Sequence, residues 1–297
     1  MHSVAPVQPS TFDPRRIGAI KHNYHTHPLM QLDALAALAH RLMPGGQCRF
    51  IKPGMKLDSP FDHDAKPHDQ RDLDEVFERI EEPGSWIALY DAQVDKVYAD
   101  FLAEVRQGIQ QLVLPDQRID DIRAFFFLSA PPSVTPFHID RENNFWLQIR
   151  GRKDITVFDH RDREVVPAKV VEKFILSGNL DSVRLRPEFL ERGRRFECGP
   201  GDGVYFPSTT PHMTESRPEW PGADKLSISV GMVFYTNITR RHARVHMMNH
   251  YLRKLGVTPR EPGIADRLDV IKAFAGRGLW GIQSRLDRLT GRKSSRA

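Results

Sequence analysis

The chain has 297 residues, of which 40% are hydrophobic and 27% are charged. This balance is typical of a globular protein and excludes a wholly disordered chain, because disordered segments lack the apolar residues of a core. No apolar run reaches the roughly 18–20 residues needed to cross a bilayer, and the amino terminus lacks the pattern of a secretory signal. Cys48 and Cys198 are isolated in the sequence, so a reducing cytoplasm is the expected location.

The net charge of +5 is unevenly distributed along the chain. Residues 239–297 contain 14 Lys or Arg and 4 Asp or Glu, a net charge of +10, whereas the first 238 residues carry a net charge of −5. Such a basic segment suits a nucleic acid or an acidic partner. A helix face exposed to solvent explains this positive charge more simply. The sequence also contains no helix-turn-helix or zinc-finger pattern that would indicate nucleic-acid binding.

The amino-terminal part of the chain predicts irregular structure before residue 29 and mainly helices after it. The first 28 residues are rich in Pro and His and show no periodicity. From residue 29, apolar side chains recur every three or four positions, which predicts a helix until Pro44 and Gly45 interrupt it. Further patterns predict helices over 73–80 and 94–114 and a strand over 86–90.

Between Ala124 and Tyr235 the pattern changes to short runs of β-branched and aromatic residues separated by turn residues. These runs are AFFFLSA (124–130), NFWLQIR (144–150), DITVFD (154–159), GVYFP (203–207) and LSISVGMVFYT (226–236). Several short strands between turns are typical of an antiparallel sandwich or barrel. After Asn237, helical spacing returns and continues towards the end of the chain.

These patterns divide the chain into three regions. Residues 1–85 form an irregular and helical region, residues 86–236 a β core, and residues 237–297 a basic helical region. The expected architecture is therefore mainly β with flanking helices. The last region could cover the core or serve for dimerisation, because paired helices commonly bury apolar stripes against each other.

One segment, VTPFHIDRENNFWLQIRGRKDITVFD, carries the most chemical information. His138 and Asp140 lie two positions apart, so on an extended strand both point to one face while Ile139 points to the other. Two histidines and one carboxylate around a first-row divalent metal leave three coordination positions open, as in non-haem Fe(II) oxygenases. An HxD pair alone is equally compatible with two residues hydrogen-bonded at a strand end.

A second histidine ligand must come from another strand. His212 is the best candidate, because the segment GPGDGVYFPSTTPHMTES delivers it through a turn, a short strand and a loop. It lies 72 residues after Asp140, which is about the length of several strands of a barrel.

Other histidines are weaker candidates for metal binding. His25 and His27 lie in the unpatterned amino-terminal segment. His242, His246 and His250 recur every four residues on a predicted helix, where they could bind a metal, but no nearby carboxylate completes a site. A hydrated helix face is the preferred explanation for this row.

Lys153 lies on the next predicted strand, where its ammonium would reach the inside of the barrel. A buried ammonium needs a counter-charge, because its desolvation is costly. A dicarboxylic cosubstrate would provide that charge. The simpler alternative is a lysine that faces solvent within the basic group Arg150, Arg152 and Lys153.

The segment resembles the cupin-like, JmjC-type 2-oxoglutarate oxygenases and is most similar to the asparaginyl hydroxylase that acts on hypoxia-inducible factor. The similarity follows T-x-x-H-x-D-x-x-x-N-F-(aromatic)-x-Q-I-(basic)-G-x-K from Thr135, and then G-P-G-D-x-x-Y-x-P before His212. It extends from Leu128 to Ser216, about 30% of the chain. The resemblance implies that the core over 86–236 is a double-stranded β-helix of the jelly-roll, cupin-like type.

Carried over position by position, the resemblance implies that His138, Asp140 and His212 are the Fe(II) ligands. It implies that Lys153 pairs with the distal carboxylate of the cosubstrate 2-oxoglutarate, and that Thr135 donates a hydrogen bond to the same group. Both residues then belong to the cosubstrate site.

Other parts of the family pattern match less well. Asn144 shares a strand face with Trp146, and the resemblance places it close to the cosubstrate. Tyr90 is an unaligned candidate for a tyrosine that the family places on an earlier strand. The family residue on the last strand has three candidates, which are Ser227, Ser229 and Gly231. The segment Lys169–Glu197 has no counterpart, so substrate-contacting residues cannot be transferred.

The activity implied by the resemblance is Fe(II)- and 2-oxoglutarate-dependent hydroxylation of a protein or peptide side chain, with succinate and CO2 as coproducts. One alternative is a cupin-type metalloenzyme that acts on a small molecule without 2-oxoglutarate. Another is a non-catalytic regulator that binds nucleic acid through its basic carboxy-terminal region. The expected partners are a protein or peptide substrate, or a small molecule, and a second copy of the chain bound through the carboxy-terminal helices, with no membrane.

Overall fold

The computed structural model describes residues 2–51, 70–221 and 224–289. Its helices are α1 (Leu32–Leu42), α2 (Gln70–Glu78), α3 (Lys96–Gln110), α4 (Ala168–Ser177), α5 (Asn237–Lys254) and α6 (Asp266–Leu289). Apolar spacing predicts all of these except α4, which lies in the segment without a family counterpart. Among the described residues, no helix is both long and apolar enough to cross a membrane.

The strands of the described ranges include those predicted from the β-rich runs and several shorter ones. They are β1 (Val4–Pro6), β2 (Gly18–His22), β3 (Cys48–Ile51), β4 (Trp86–Leu89), β5 (Ile119–Ser129), β6 (Ser133–His138), β7 (Asn143–Arg150), β8 (Lys153–Val157), β9 (Arg194–Cys198), β10 (Asp202–Phe206), β11 (His212–Ser216) and β12 (Ser227–Thr236).

These strands form two antiparallel sheets in the described part of the chain. The larger sheet has the order β1-β2-β10-β7-β12-β5-β4-β3, and the smaller sheet has the order β6-β11-β8-β9. Successive strands from β5 to β8 alternate between the two sheets, and those from β9 to β12 alternate again on the way back. This alternation defines a double-stranded β-helix and confirms the predicted fold class.

Apolar layers cover both faces of the larger sheet. On its outer face lie α1 and α3, which contribute buried residues such as Leu38 and Phe101. On its inner face, Trp146 and Phe206 pack with Ile155 of the smaller sheet. Because β7 and β12 are central strands with both faces covered, they are buried almost throughout. Their polar residues, such as Asn144, Gln148 and Ser229, are therefore buried together with the apolar ones.

The amino-terminal residues contain more regular structure than the sequence predicts. Strand β1 pairs with β2, and β2 extends the larger sheet beside β10. The two strands have three and five residues, which is too short for an alternating pattern to stand out. Ile20 of β2 is nevertheless buried in the main core, so this segment belongs to the folded unit.

The carboxy-terminal helix α5 follows β12 directly and contacts both α4 and α6. The expectation of a hydrated histidine face on α5 is wrong, because His246 is buried and His242 and His250 are half-buried. Burial holds the pKa of His246 well below its usual value, so the side chain is neutral. The four-residue spacing is that of a helix face packed against other helices.

Candidate metal centre

His138 and His212 approach each other because β6 and β11 are antiparallel and these two residues are Cα partners. His138 is the last residue of β6, and His212 is the first residue of β11. Asp140 follows β6 in the turn towards β7. The structure therefore brings together the three residues that the sequence identifies as candidate ligands.

The three side chains have the spacing of a three-ligand metal site. Nε2 of His138 lies 4.0 Å from Oδ1 of Asp140, and Nε2 of His212 lies 3.6 Å from Oδ2 of Asp140. Donor atoms held about 2.1 Å from one ion lie about 3–4 Å apart. Within the described ranges, no other group of three or more His, Cys, Asp or Glu residues offers ligand atoms this close together.

Backbone carbonyl groups set the orientation of both imidazole rings. Nδ1 of His138 lies 2.7 Å from the carbonyl oxygen of Pro136, and Nδ1 of His212 lies 3.1 Å from that of Thr210. Nδ1 of each ring then carries the hydrogen and donates it, which leaves the lone pair of Nε2 for a metal. Burial, together with the nearby His138, lowers the pKa of His212 to about 4, so this ligand is neutral at pH 7.

The loop before His212 is hydrogen-bonded to the turn that carries Asp140. The N–H of Thr209 donates to the carbonyl of Asp140 at 2.8 Å, and the hydroxyl of Ser208 donates to the carbonyl of Arg141 at 2.7 Å. Thr209 has a φ of 62°, a left-handed conformation that β-branched residues rarely adopt. Such a conformation persists where surrounding contacts enforce it, and here those contacts position a ligand.

The donor set fits a first-row divalent metal. Two neutral imidazoles and one carboxylate form the facial arrangement found with non-haem Fe(II), whereas Mg²⁺ and Ca²⁺ prefer oxygen ligands alone. The fold and these donors together define the class: a double-stranded β-helix protein with a two-histidine, one-carboxylate group for a divalent metal.

A cavity of about 630 Å³ lies between the two sheets and contains this group. Thr135, Asn144 and Trp146 line it, whereas Phe145 points away and packs against Tyr205 with ring centroids 4.8 Å apart. This confirms that Asn144 and Trp146 share one strand face. Oδ1 of Asn144 is buried and has no hydrogen-bond partner among the described residues, so a ligand in the cavity can donate to it.

Aromatic side chains from two neighbouring strands form one wall of the cavity. Tyr90 lies beside Phe125 and Phe127, with ring centroids 5.6 and 6.1 Å apart, and all three residues line the cavity. Phe125 and Phe127 did not enter the sequence prediction of the site. Their alternation in AFFFLSA is a signal that places them on one strand face.

The last strand, β12, contributes two of its three candidate residues to the cavity. Ser229 and Gly231 line it. Ser227 instead accepts a hydrogen bond from Nε2 of Gln148 at 3.0 Å.

A second wall comes from α4 and the segment that follows it, and the sequence did not predict this wall. The residues concerned are Phe174, Gly178, Asn179, Leu180, Asp181 and Val183. Arg141 ties this wall to the metal-binding turn, because its guanidinium donates to the carbonyls of Phe174 and Ile175 at 3.1 and 3.0 Å. A cation at the carboxy-terminal end of a helix satisfies carbonyl groups that lack partners and interacts favourably with the helix dipole.

Lys153 is buried and does not face solvent. Its Nζ donates to Oγ of Ser129 at 3.1 Å, and no carboxylate of the described residues lies within 4.0 Å of it. Burial lowers the pKa of Lys153 to about 8. Lys153 does not line the cavity, but its partner Ser129 lies close to it. Ser129 is the Cα partner of Ser227 on β12, and Ser229, two residues further along that strand, lines the cavity.

No model of a known protein family matches the chain, and no curated protein matches it. Three solved structures of YcfD from Escherichia coli overlap 93% of the chain. An X-ray structure of YcfD has 18% identity and a TM-score of 0.49, with 68% of that chain covered. YcfD, a ribosomal oxygenase, in complex with cobalt and 2-oxoglutarate has 19% identity and a TM-score of 0.49, with 67% covered. Its complex with cobalt and succinic acid has 17% identity and a TM-score of 0.45, with 67% covered.

None of these three structures is the asparaginyl hydroxylase that the sequence motif resembles most. Identities this low occur between proteins that share a fold and act on different substrates. The residues of this chain therefore carry its functional assignment.

We expect the metal-free protein to bind one Mn(II) or Fe(II) ion per chain, as measured by anaerobic titration calorimetry. His138→Ala, Asp140→Ala and His212→Ala each remove one donor and should weaken binding by about 100-fold or more. His40→Ala, which alters a histidine on α1, is the matched control and should bind like the unmodified protein. Retained binding in the three ligand variants would show that the ion lies elsewhere.

Proposed function

We propose that this chain is an Fe(II)- and 2-oxoglutarate-dependent dioxygenase that hydroxylates a side chain of a protein or peptide and forms succinate and CO2 as coproducts. The observation that carries the proposal is a two-histidine, one-carboxylate group in the same β core as a buried lysine without a counter-charge among the described residues. A metal site alone suits many reactions. A metal site with a buried cation suits a cosubstrate that has a carboxylate at each end.

In this proposal His138, Asp140 and His212 hold the iron. When bound, Fe(II) supplies the redox chemistry that couples O2 to the oxidative decarboxylation of 2-oxoglutarate. Each imidazole is held by a backbone carbonyl, so the donors are oriented before the ion arrives. With three protein donors, the cavity would leave room beside the metal for a cosubstrate.

Lys153 and hydroxyl groups of the cavity would bind the distal carboxylate of 2-oxoglutarate. The hydroxyls of Thr135, Thr214 and Ser229 line the cavity and, within the described part of the chain, form no hydrogen bond. Oγ of Ser129, which accepts the hydrogen bond of Lys153, lies 3.0 Å from Oγ of Ser133, and Ser133 lies two residues before Thr135 on β6. An ammonium with several hydroxyl donors satisfies a carboxylate, and charge-assisted hydrogen bonds are the strongest of their kind.

The aromatic wall would exclude water from the reacting atoms. Apolar surface of the cavity comes from Phe125, Phe127 and Trp146. The ring of Tyr90 also lines the cavity and packs against those of Phe125 and Phe127. Removal of water strengthens electrostatic interactions inside the site and protects reactive species from side reactions.

A polypeptide substrate is proposed because of the wall formed after α4. Asn179 and Asp181 are exposed and also line the cavity, so this segment forms the rim through which a substrate enters. A cavity of this size accommodates a small cosubstrate together with one amino-acid side chain. We place the reaction in the cytoplasm, since Cys48 and Cys198 are free and buried.

Two alternatives make different use of the same residues. A cupin-type metalloenzyme without 2-oxoglutarate needs the metal group but not Lys153. A nucleic-acid-binding regulator needs the basic carboxy-terminal region but not the metal. The buried lysine favours the dioxygenase over both, since neither alternative gives its ammonium a counter-charge.

Protein loaded anaerobically with Fe(II) and then exposed to O2 should convert 2-oxoglutarate to succinate, slowly even without a prime substrate. His138→Ala and Asp140→Ala should abolish this turnover, because each removes an iron ligand. Succinate formation is followed by proton NMR, with His40→Ala as the control. Undiminished turnover in both ligand variants would refute the assignment of the iron site.

Lys153→Met should raise the free energy of unfolding at pH 7 by about 1–3 kcal/mol, because it replaces a buried cation by an apolar side chain.

In differential scanning fluorimetry 2-oxoglutarate should raise the Tm of the unmodified protein but not that of Lys153→Met. The KM for 2-oxoglutarate should also rise as the pH rises through about 8, because the free lysine then loses its charge. Equal stabilisation of both proteins by 2-oxoglutarate would refute the role of Lys153, whereas no stabilisation of either would favour the metalloenzyme that does not use 2-oxoglutarate.

We propose that residues 237–297 dimerise the chain. Apolar residues recur at helical spacing on α6 and just before it, and they are exposed; Ile264, Leu268, Ile271 and Phe274 are 65%, 47%, 66% and 83% exposed. An apolar stripe of this kind is usually covered by a partner.

Light scattering should give twice the chain mass of 34.1 kDa. Phe274→Glu should give the monomer, whereas Val97→Glu on α3 should not, and a monomeric unmodified protein would contradict the proposal.

A further inference from the structure

A second cavity lies outside the metal centre, in a groove between α4 and α5. It has a volume of about 380 Å³ and is lined by Lys169, Val170, Glu172, Lys173, Ser182, His250, Arg253 and Lys254. It shares no lining residue with the cavity that holds the metal group. We call this surface the α4–α5 groove.

The α4–α5 groove carries positive charge that the surrounding protein does not neutralise. Lys169, Lys173 and Lys254 have no carboxylate within 4.0 Å in the described ranges. By contrast, Arg253 is neutralised, because its Nε donates to both carboxylate oxygens of the buried Glu172 at 3.0 and 2.9 Å. The groove therefore has a net charge of +3 from the lysines, and Arg253 at its floor is paired with Glu172 and lies 3.9 Å from Glu261.

This arrangement suits an anionic group more than a structural role. Lys169 and Lys173 are four residues apart on α4, which places them on one side of the helix about 6 Å apart along its axis. Like charges at this spacing destabilise a helix slightly, so their positions bring no benefit to the isolated chain. Lysine ammonium groups bind carboxylates and phosphates as point charges.

The α4–α5 groove is joined to the metal cavity by one short segment. Asn179, Leu180, Asp181 and Val183 line the metal cavity, whereas Ser182, between them, lines the groove. On α4, Phe174 faces the cavity and its neighbour Lys173 faces the groove. Neighbouring residues of one segment line the two surfaces, so an extended polypeptide bound in the cavity can continue into the groove.

The lining favours a polypeptide over a nucleic acid. His250 is the one aromatic ring among the described residues that line the groove, and single-stranded nucleic acids usually stack successive bases on several such rings. Carboxylate side chains need no stacking platform. The groove is also too small for a duplex, whose contacts are spread over many phosphates.

We propose that the α4–α5 groove binds acidic residues of the substrate polypeptide that lie close in sequence to the hydroxylated residue. This proposal rests on the proposed function, because it assigns the groove to the same substrate. It makes the groove a specificity site that acts through charge.

The test uses a fluorescein-labelled hexaglutamate peptide as the probe, and fluorescence anisotropy of the full-length, metal-loaded protein as the measurement. The double variant Lys169→Glu/Lys173→Glu should weaken binding at least about tenfold, and added salt should weaken binding to the unmodified protein. Lys96→Glu/Arg106→Glu on α3 makes the same change in net charge on exposed residues and should bind within about twofold of the unmodified protein. Equal losses in both double variants, or no loss in either, would overturn the proposal.

Two further measurements separate this proposal from its alternatives. A labelled twelve-residue oligouridylate that binds the unmodified protein more tightly than hexaglutamate, with the same dependence on Lys169 and Lys173, would identify a nucleic-acid site and overturn the proposal. Conversion of 2-oxoglutarate without substrate should be unchanged in both double variants, because none of these residues lies in the metal cavity. Failure of that conversion in the unmodified protein would refute the proposed function. If conversion is normal but both double variants bind hexaglutamate equally well, only the assignment of the α4–α5 groove is refuted.

Discussion

The antiparallel pairing of β6 with β11 is the constraint on which the whole site depends. It sets His138 opposite His212 across two strands of the smaller sheet, although the residues are far apart in sequence. Hydrogen bonds from the loop before His212 to the turn after His138 then fix the position of Asp140. A slip of one residue in this pairing would turn one imidazole to the other face of the sheet and leave two ligands instead of three.

Burial of Lys153 is the second constraint, and it opposes stability. A protein selected for stability alone would place an apolar side chain between the sheets, because a buried ammonium without a counter-charge is costly. The chain instead keeps the cation, and among the described residues its one hydrogen-bond partner is the hydroxyl of Ser129. In the proposed function, a bound diacid completes the electrostatic balance of this lysine. The lysines of the α4–α5 groove also lack carboxylate partners among the described residues. Because they lie at the surface, solvent screens their charges and the cost in stability is small.

The sequence predicted those parts of the structure that depend on local patterns. The HxD spacing, the alternation through Asn144 and Trp146, and the β-rich runs are all short-range features, and the structure agrees with them. The wall formed by Phe174 to Val183 was not predictable, because α4 reaches the cavity only through tertiary packing and the hydrogen bonds of Arg141. The helical row ending at His250 was misjudged for the same reason, since spacing on a helix shows that residues share a face and not what covers that face.

The most direct test of the account is the anomalous diffraction of crystals grown anaerobically with Mn(II) and 2-oxoglutarate. We expect one manganese peak within about 2.3 Å of Nε2 of His138, Nε2 of His212 and the carboxylate of Asp140, with density for a diacid that ends at the ammonium of Lys153. A manganese peak at any other group of residues, or a diacid bound away from Lys153, would contradict it.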